Sequence, residues 1–495
     1  MKFHHRFVPF VLLASLALQT EAATKGTLLI RNVHIVTSNA QVSKQPVNLL
    51  IENERISEIG PQDFTAETVI DGKGQYLIPG LIDTHVHLRD VPGLLPQEDP
   101  AISKINQEAL AQIPKSYLYA GFTTLLDLAN TGEAIKQWNS LPLAPRAYFC
   151  SPVIIPKGYP VANMPEVVQQ SPDVSRHYLH DKHSHLEAIM ADADQHSPAN
   201  LVNLGKKEGA RCIKVFYEKG FAGKKNLPTP SEAVVRELVA KAHHHNLPVF
   251  LHGNSYESYE FGLNTGVDML VHGLWNADAK INEVDLTNTA KKLIKSGIAV
   301  QPTMQVIYGE QELFNPDFFK QADLQHEMPA SLFQWYQSDA GQWMKNEMGS
   351  YFKSDAPMTA TQQYQQVKAV YQPLLNRVKI ISNQLKQSEQ LLVFGSDTPS
   401  GPIYTQFPGY NGRQEMNRWL EMGISLPQLF KAMTIRNAKL LKLDHEIGSV
   451  EEGKQADLLL VSKNPLEDIT AYDTIRWVIL KGKPLEREKL SALSQ

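Results

Sequence analysis

The sequence predicts an α/β protein: a (β/α)8 TIM barrel joined to a small β-sandwich-like domain formed by both chain ends. Three observations predict it. The central part alternates short apolar runs with helix-length amphipathic stretches, the pattern of a parallel sheet with crossover helices. Eight such runs occur over about 330 residues, the number a closed barrel with insertions needs. Short β-branched runs joined by polar turns stand at both ends of the chain, and termini commonly lie close together.

The eight runs are Gly80 to His85, Thr123 to Leu128, Ala147 to Val153, Cys212 to Phe216, Val249 to His252, Met269 to His272, Ile298 to Thr303 and Leu391 to Ser396. A helix between two of them is marked by Pro230 and the N-cap residue Ser231 ahead of Glu232 to His244. The barrel is assigned to residues 79–441. Between its last two runs, about 308–390, lies a segment rich in Gln, aromatic and charged residues at helical spacing, with Tyr364 to Leu385 reading as one long helix. A loop there sits over the C-terminal face of a barrel, so a lid or substrate wall is one reading and a packing or dimer appendage the other. Thr27 to Val36, Val47 to Gly60, Gly448 to Val461 and Thr474 to Lys481 read as strands of a composite β-domain from residues 23–78 and 442–495.

Bulk properties narrow the function. A chain of 495 residues, 42% hydrophobic and 20% charged, is ordinary globular material. A net charge of −4 without any Lys/Arg-rich block argues against a nucleic-acid partner. Residues 1–22 read as a signal peptide: Lys2 and Arg6, the apolar run Phe7 to Leu18, then Thr20-Glu21-Ala22 as a cleavage site. That run is shorter than a membrane span needs, and nothing later is long and apolar enough, so a periplasmic or secreted protein without stable membrane insertion is expected, with an uncleaved anchor as the alternative. Cys150 and Cys212 lie in separate apolar segments and are expected to be two small buried hydrophobes, with one disulfide as the most they could form.

Chemistry concentrates at strand ends. His85 and His87 (DTHVH) lie two apart and share a face, the spacing by which two neutral imidazoles reach one cation. Alone, such a pair also suits a satisfied core. His252 (VFLHG) and His272 (LVHG) each end an apolar run, however, and burying four unpaired imidazoles at one mouth would be costly without a shared partner such as a metal. His243, His244 and His245 fall at a helix end on the opposite face and read as solvated or as interacting with the helix C-terminus rather than as ligands. Asp397 (GSDTP) could bind a metal and accept a proton from its water, or simply cap a helix. Lys214 (RCIK) cannot ligate as an ammonium; near cations and partly buried, its neutral amine could capture carbon dioxide as a bridging carbamate, the alternative being an ordinary Lys that closes a strand or binds a substrate carboxylate.

With these residues the chain resembles the amidohydrolase superfamily, whose members carry HxH after strand one, Lys after strand four, single His after strands five and six, and Asp after strand eight. The entrance PGLIDTHVH, the phrase TIRNAKLL and the closing GSVEEGKQADLLLV are similar as well. Within it, the short spacing from His252 to His272 and the GSDTP phrase resemble the imidazolonepropionase-related and peptidase-like branch. The resemblance implies two divalent metal ions, zinc by expectation. His85, His87 and Asp397 would bind the first, His252 and His272 the second, and carbamylated Lys214 would bridge them.

It further implies hydrolysis of an amide or peptide C–N bond in a small molecule or short peptide, by attack of a metal-bridging hydroxide with Asp397 moving the proton. Arg89 resembles the arginine with which dihydroorotase-like members hold a substrate carboxylate, or pairs with Asp90 or Glu98. Tyr217 would donate to the scissile carbonyl or pack on its loop, and Tyr256 and Trp275 stand where they could line a pocket. Ring opening of a cyclic amide of the hydantoin, dihydroorotate or lactam kind is the second enzymatic reading. A non-catalytic binding protein on the same barrel is the reading from another class, and a homo-oligomer stays open.

Overall fold

The computed structural model describes residues 25–88, 91–94, 99–183, 193–221, 223–276, 280–352 and 357–494. The expected signal peptide and Arg89, with Asp90 and Glu98, lie outside the described residues. Four strands open the chain: β1 (Lys25–Ile35), β2 (Val47–Glu52), β3 (Arg55–Gly60) and β4 (Thr65–Pro79). Next come β5 (Leu81–Val86), β6 (Phe122–Asp127), β7 (Arg146–Val153) and β8 (Cys212–Phe216), then a two-strand hairpin, β9 (Gly220–Phe221) and β10 (Lys224–Lys225). The series closes with β11 (Val249–His252), β12 (Met269–Val271), β13 (Ala299–Gln301), β14 (Leu458–Val461), β15 (Ile475–Leu480) and β16 (Lys483–Glu486).

The central strands form a curled parallel sheet in the order β13-β12-β11-β8-β7-β6-β5. Seven of the eight expected runs are strands within a few residues of their expected bounds. The eighth differs. Leu391 to Ser396 makes only isolated parallel bridges, Val300 to Leu392 on one side and, just beyond it, Val86 to Thr398 on the other. Side chains take the place of a ladder: Phe394 O accepts from Thr84 Oγ1 (2.6 Å) and Asn437 Nδ2 (2.9 Å), while Ser396 N donates to Asp83 Oδ1 (3.0 Å). Inside the curl, Ile82, Leu126, Phe250, Met269 and Val393 meet in one apolar cluster with Ala438 and Leu441.

Cys150 and Cys212 belong to that cluster and form a disulfide, which corrects the expectation of two separate buried thiols. They are register partners on the neighbouring strands β7 and β8, so 62 residues of sequence separation become a Cα–Cα distance of 4.4 Å.

Both ends of the chain contribute to one seven-stranded sheet, ordered β16-β15-β14-β4-β1-β2-β3, rather than to two sheets packed as a sandwich. The unexpected member is β4, which pairs parallel with β1 and antiparallel with β14 and so joins the two ends. Its Gly-Lys-Gly stretch looks like a turn in the sequence. In the fold it is a bulge, with Lys73 and Gly74 at φ 53° and 73°, where the register against β1 shifts. The sheet has its own apolar cluster, including Leu28, Ile30, Leu49, Leu458 and Ile479, while Leu459 and Val478 belong to the main core.

The segment between β13 and Leu391 is helical, as expected, with helices Gln305–Glu312, Ala330–Tyr336, Trp343–Gly349 and Ala360–Leu385. No helix among the described residues is long and apolar enough to cross a membrane.

Candidate active site

Parallel strands deliver their C-terminal residues to one rim; His85, His87, His252 and His272 stand at or just past such ends, and Asp397 follows the bridged segment Leu391 to Ser396. Asp397 is the centre of the cluster. Its Oδ1 lies 3.0 Å from His85 Nε2 and 3.1 Å from His87 Nε2, and its Oδ2 is 3.7 Å from His272 Nδ1. His272 Nε2 in turn lies 2.9 Å from His252 Nδ1. Lys214, buried within β8, shares this volume and acts electrostatically on His85, His87, His252 and His272.

Burial governs the protonation states. It pushes the His85 imidazole down to about 4, and holds His272 well below and His252 below the usual range. Burial also opposes charge on His87, but its bond to Asp397 and the fields of Asp397 and Asp127 outweigh that and raise it. Burial drives the Lys214 amine down to about 7, against the pull of Asp397. Asp397 is desolvated too, yet its histidine partners keep its carboxyl well below the ordinary value.

The imidazoles of His85, His252 and His272, held neutral by burial, with the ionised carboxylate of Asp397 are a ligand set in the state that cations need. One ligand atom each from His85, His272 and Asp397 lies within 4.8 Å of the others. His85 Nδ1 is buried without a hydrogen-bond partner. This donor set fits a divalent ion.

Backbone conformation marks the same place. His272, Thr303 and Asp397 have φ of 91°, 43° and 54°, in the left-handed region that a β-branched residue rarely enters. Such residues cost on the order of 1–3 kcal/mol each and persist only where surroundings enforce them. Here they do: Thr303 Oγ1 is 2.9 Å from His272 Nδ1, and Tyr259 Oη donates to the His272 carbonyl (2.9 Å).

Several residues around the cluster had no reading in the sequence. Glu218 Oε2 sits 3.5 Å from His252 Nε2 and accepts from Asn254 Nδ2 (2.8 Å), while Glu218 Oε1 accepts from Gly220 N (3.0 Å). A signal for it existed, since residues 214, 216 and 218 would share a face if the strand ran on. Tyr159 stacks on His252 with centroids 4.4 Å apart, from a loop without any periodic pattern. Asp83, pushed up to about 7 by burial, accepts from His85 N and Ser396 N and ties the first ligand segment to the last. Asp127 Oδ1 is 3.9 Å from His87 Nδ1.

Tyr217 is not brought into the cluster. Its ring packs on Phe261 at 4.5 Å, and Lys219 stands over it, because it follows Phe216 on the opposite face. Trp275 does approach, 5.2 Å from the His272 ring. His243 instead pairs with Asp268 (2.9 Å) at the far end of β11, away from the cluster.

The model of the amidohydrolase family matches residues 76–309 and 380–485. The chain belongs to the amidohydrolase family. It is similar to the dihydroorotase of Pediococcus pentosaceus, 40% identical over 104 residues, 21% of each chain. The chain thus spans about a fifth of the length of that curated relative. Among solved structures it is similar to a Xaa-Pro dipeptidase with methionine bound in the active site (TM-score 0.61, 20% identity, 93% of this chain and 99% of that one). It is also similar to the ochratoxinase of A. niger (TM-score 0.61, 18% identity, 93% and 96%). At these identities the structures speak for the fold alone.

Proposed function

We propose that this amidohydrolase-family chain hydrolyses an amide or peptide C–N bond in a small molecule or short peptide. The observation that carries the reading is the meeting of Lys214, four imidazoles and Asp397 in one volume, buried at every member but the partly exposed His87. His85, His87 and Asp397 would hold one divalent cation and His252 and His272 a second, with zinc the proposed metal and a carbamate on Lys214 between them. Bound cations would polarise the substrate carbonyl and acidify water. Asp397, ionised at neutral pH, takes a proton from the attacking water and delivers it to the nitrogen as the C–N bond breaks. Glu218 orients His252, while Tyr159 and Trp275 wall the mouth.

The same reading completes the barrel with the segment Leu391 to Ser396 as its eighth staved element and treats the shared end sheet as a separate domain. It also places the mature protein outside the cytoplasm, which the Cys150–Cys212 disulfide and the leader-like start both support.

A second reading, ring opening of a cyclic amide, is favoured by the partial similarity to a dihydroorotase. One assay separates them: zinc-replete protein on a panel of N-acyl amino acids, dipeptides, hydantoins and lactams. Turnover of linear members carries the first reading, and turnover confined to rings carries the second. Ligand binding without turnover on any class would instead favour a non-catalytic barrel.

A further inference from the structure

Resting on the hydrolase reading above, we propose that Arg377 is a specificity-determining residue that receives a substrate carboxylate at the mouth of the site. Arg377 lies on the long helix Ala360–Leu385, within residues 310–379 that the family model leaves unmatched.

The helical insertion touches the loops that follow three ligand strands. Trp343 Nε1 donates to Gly93 O (2.8 Å), and Tyr336 Oη donates to Pro92 O, both past His87. The Tyr351 hydroxyl approaches Gly223, in the hairpin that follows Lys214. At the third loop, past His272, Val378 packs so closely on Gly273 that an added Cβ would meet its methyls at 2.7 Å. The insertion is therefore seated over the rim that carries the ligands, as a wall of the site. A remote appendage would not make these contacts.

Arg377 stands beside Val378 on that wall. Its Nη1 donates to Trp275 O (2.7 Å), and the Trp275 ring is 5.2 Å from His272. A guanidinium offers five N–H donors in a planar fork. Among the described residues Arg377 makes that one bond and no ion pair, whereas its neighbour Lys379 is neutralised by Glu421 at 3.1 Å. Lys219, beyond Lys214, is likewise neutralised by Glu257 at 2.5 Å. A half-buried guanidinium, tethered three residues past a ligand histidine and lacking a carboxylate of its own, matches the two oxygens of a substrate carboxylate. A linear N-acyl amino acid or dipeptide presents that group two bonds from the scissile nitrogen.

The test uses the full zinc-replete chain and two variants, Arg377→Met and Arg377→Lys. Substrates are the best-cleaved N-acyl amino acid and its C-terminal primary amide. Wild type is expected to prefer the acid by about tenfold or more in kcat/KM; in Arg377→Met this preference collapses toward unity through a higher KM for the acid, and Arg377→Lys restores part of it. A helix that merely needed this arginine for packing would lose acid and amide alike, and that result, or an unaltered preference, overturns the proposal. If wild type cleaves nothing on the panel, the hydrolase reading fails separately. The arginine is then judged by calorimetric binding of each N-acyl amino acid of the panel: loss in Arg377→Met of binding that wild type shows upholds the carboxylate site, and equal binding by both proteins or none by wild type overturns it.

Discussion

Lys214 illustrates how one side chain acquires chemistry from position. In water its amine would stay protonated to about pH 10.5; buried in β8 it is pushed down to about 7, so an appreciable neutral fraction exists at physiological pH. If Lys214 bridges two ions as proposed, replacing it with Ala should lower metal content from about two ions per chain to about one or fewer, read by elemental analysis. Glu218 acts one step out. Glu218→Gln should weaken metal binding by about 10–100-fold, measured by chelator competition, while the far-ultraviolet spectrum stays that of wild type. Equal affinity in the two proteins would remove Glu218 from the account.

At the scale of elements, the disulfide and a buried carboxylate set the main expectations. The Cys150–Cys212 bridge closes a 62-residue separation, for which loop entropy gives about 4 kcal/mol of stabilisation. The double variant Cys150→Ala/Cys212→Ala should unfold at lower denaturant concentration by a comparable amount; no shift would mean that the bridge contributes nothing in solution. Glu415 joins two helices by accepting from Met304 N (3.2 Å), Gln305 N (2.6 Å) and Trp419 Nε1 (3.2 Å), and burial pushes it up to about 8. The native chain then keeps a proton that the unfolded chain releases above about pH 4.5, so this group's contribution to stability falls as pH rises toward 8 and is level beyond. Glu415→Gln should lose that component, seen as a shallower decline of the urea midpoint between pH 5 and 8; an identical slope would refute it. The strand ends were legible because an apolar run that stops at His or Asp names both the element and its exit. The eighth segment was only half legible, since its backbone is satisfied by Thr84, Asp83 and Asn437, residues far away in sequence. The disulfide and β4 were hidden for a related reason: register, and the bulge that disguises β4, are properties of neighbours rather than of the strand itself.

For the whole molecule, the curled sheet sets the rim, the shared end sheet ties Lys25 through Pro79 to the last strands, and the helical insertion closes over the mouth. Four imidazoles and a carboxylate converge there, and two of these residues, His272 and Asp397, are held at positive φ together with Thr303, an arrangement that cations would stabilise and apolar repacking would not. Chelation should therefore lower the melting temperature reversibly, with readdition of zinc restoring it; a melting temperature indifferent to chelator would separate the cluster from metal. The most direct measurement is the metal content of the purified, zinc-replete chain, taken together with its rate on N-acyl amino acids and dipeptides before and after chelation. The account predicts about two ions per chain and turnover that disappears and returns with them. Less than about one ion per two chains, or turnover untouched by their removal, would contradict it.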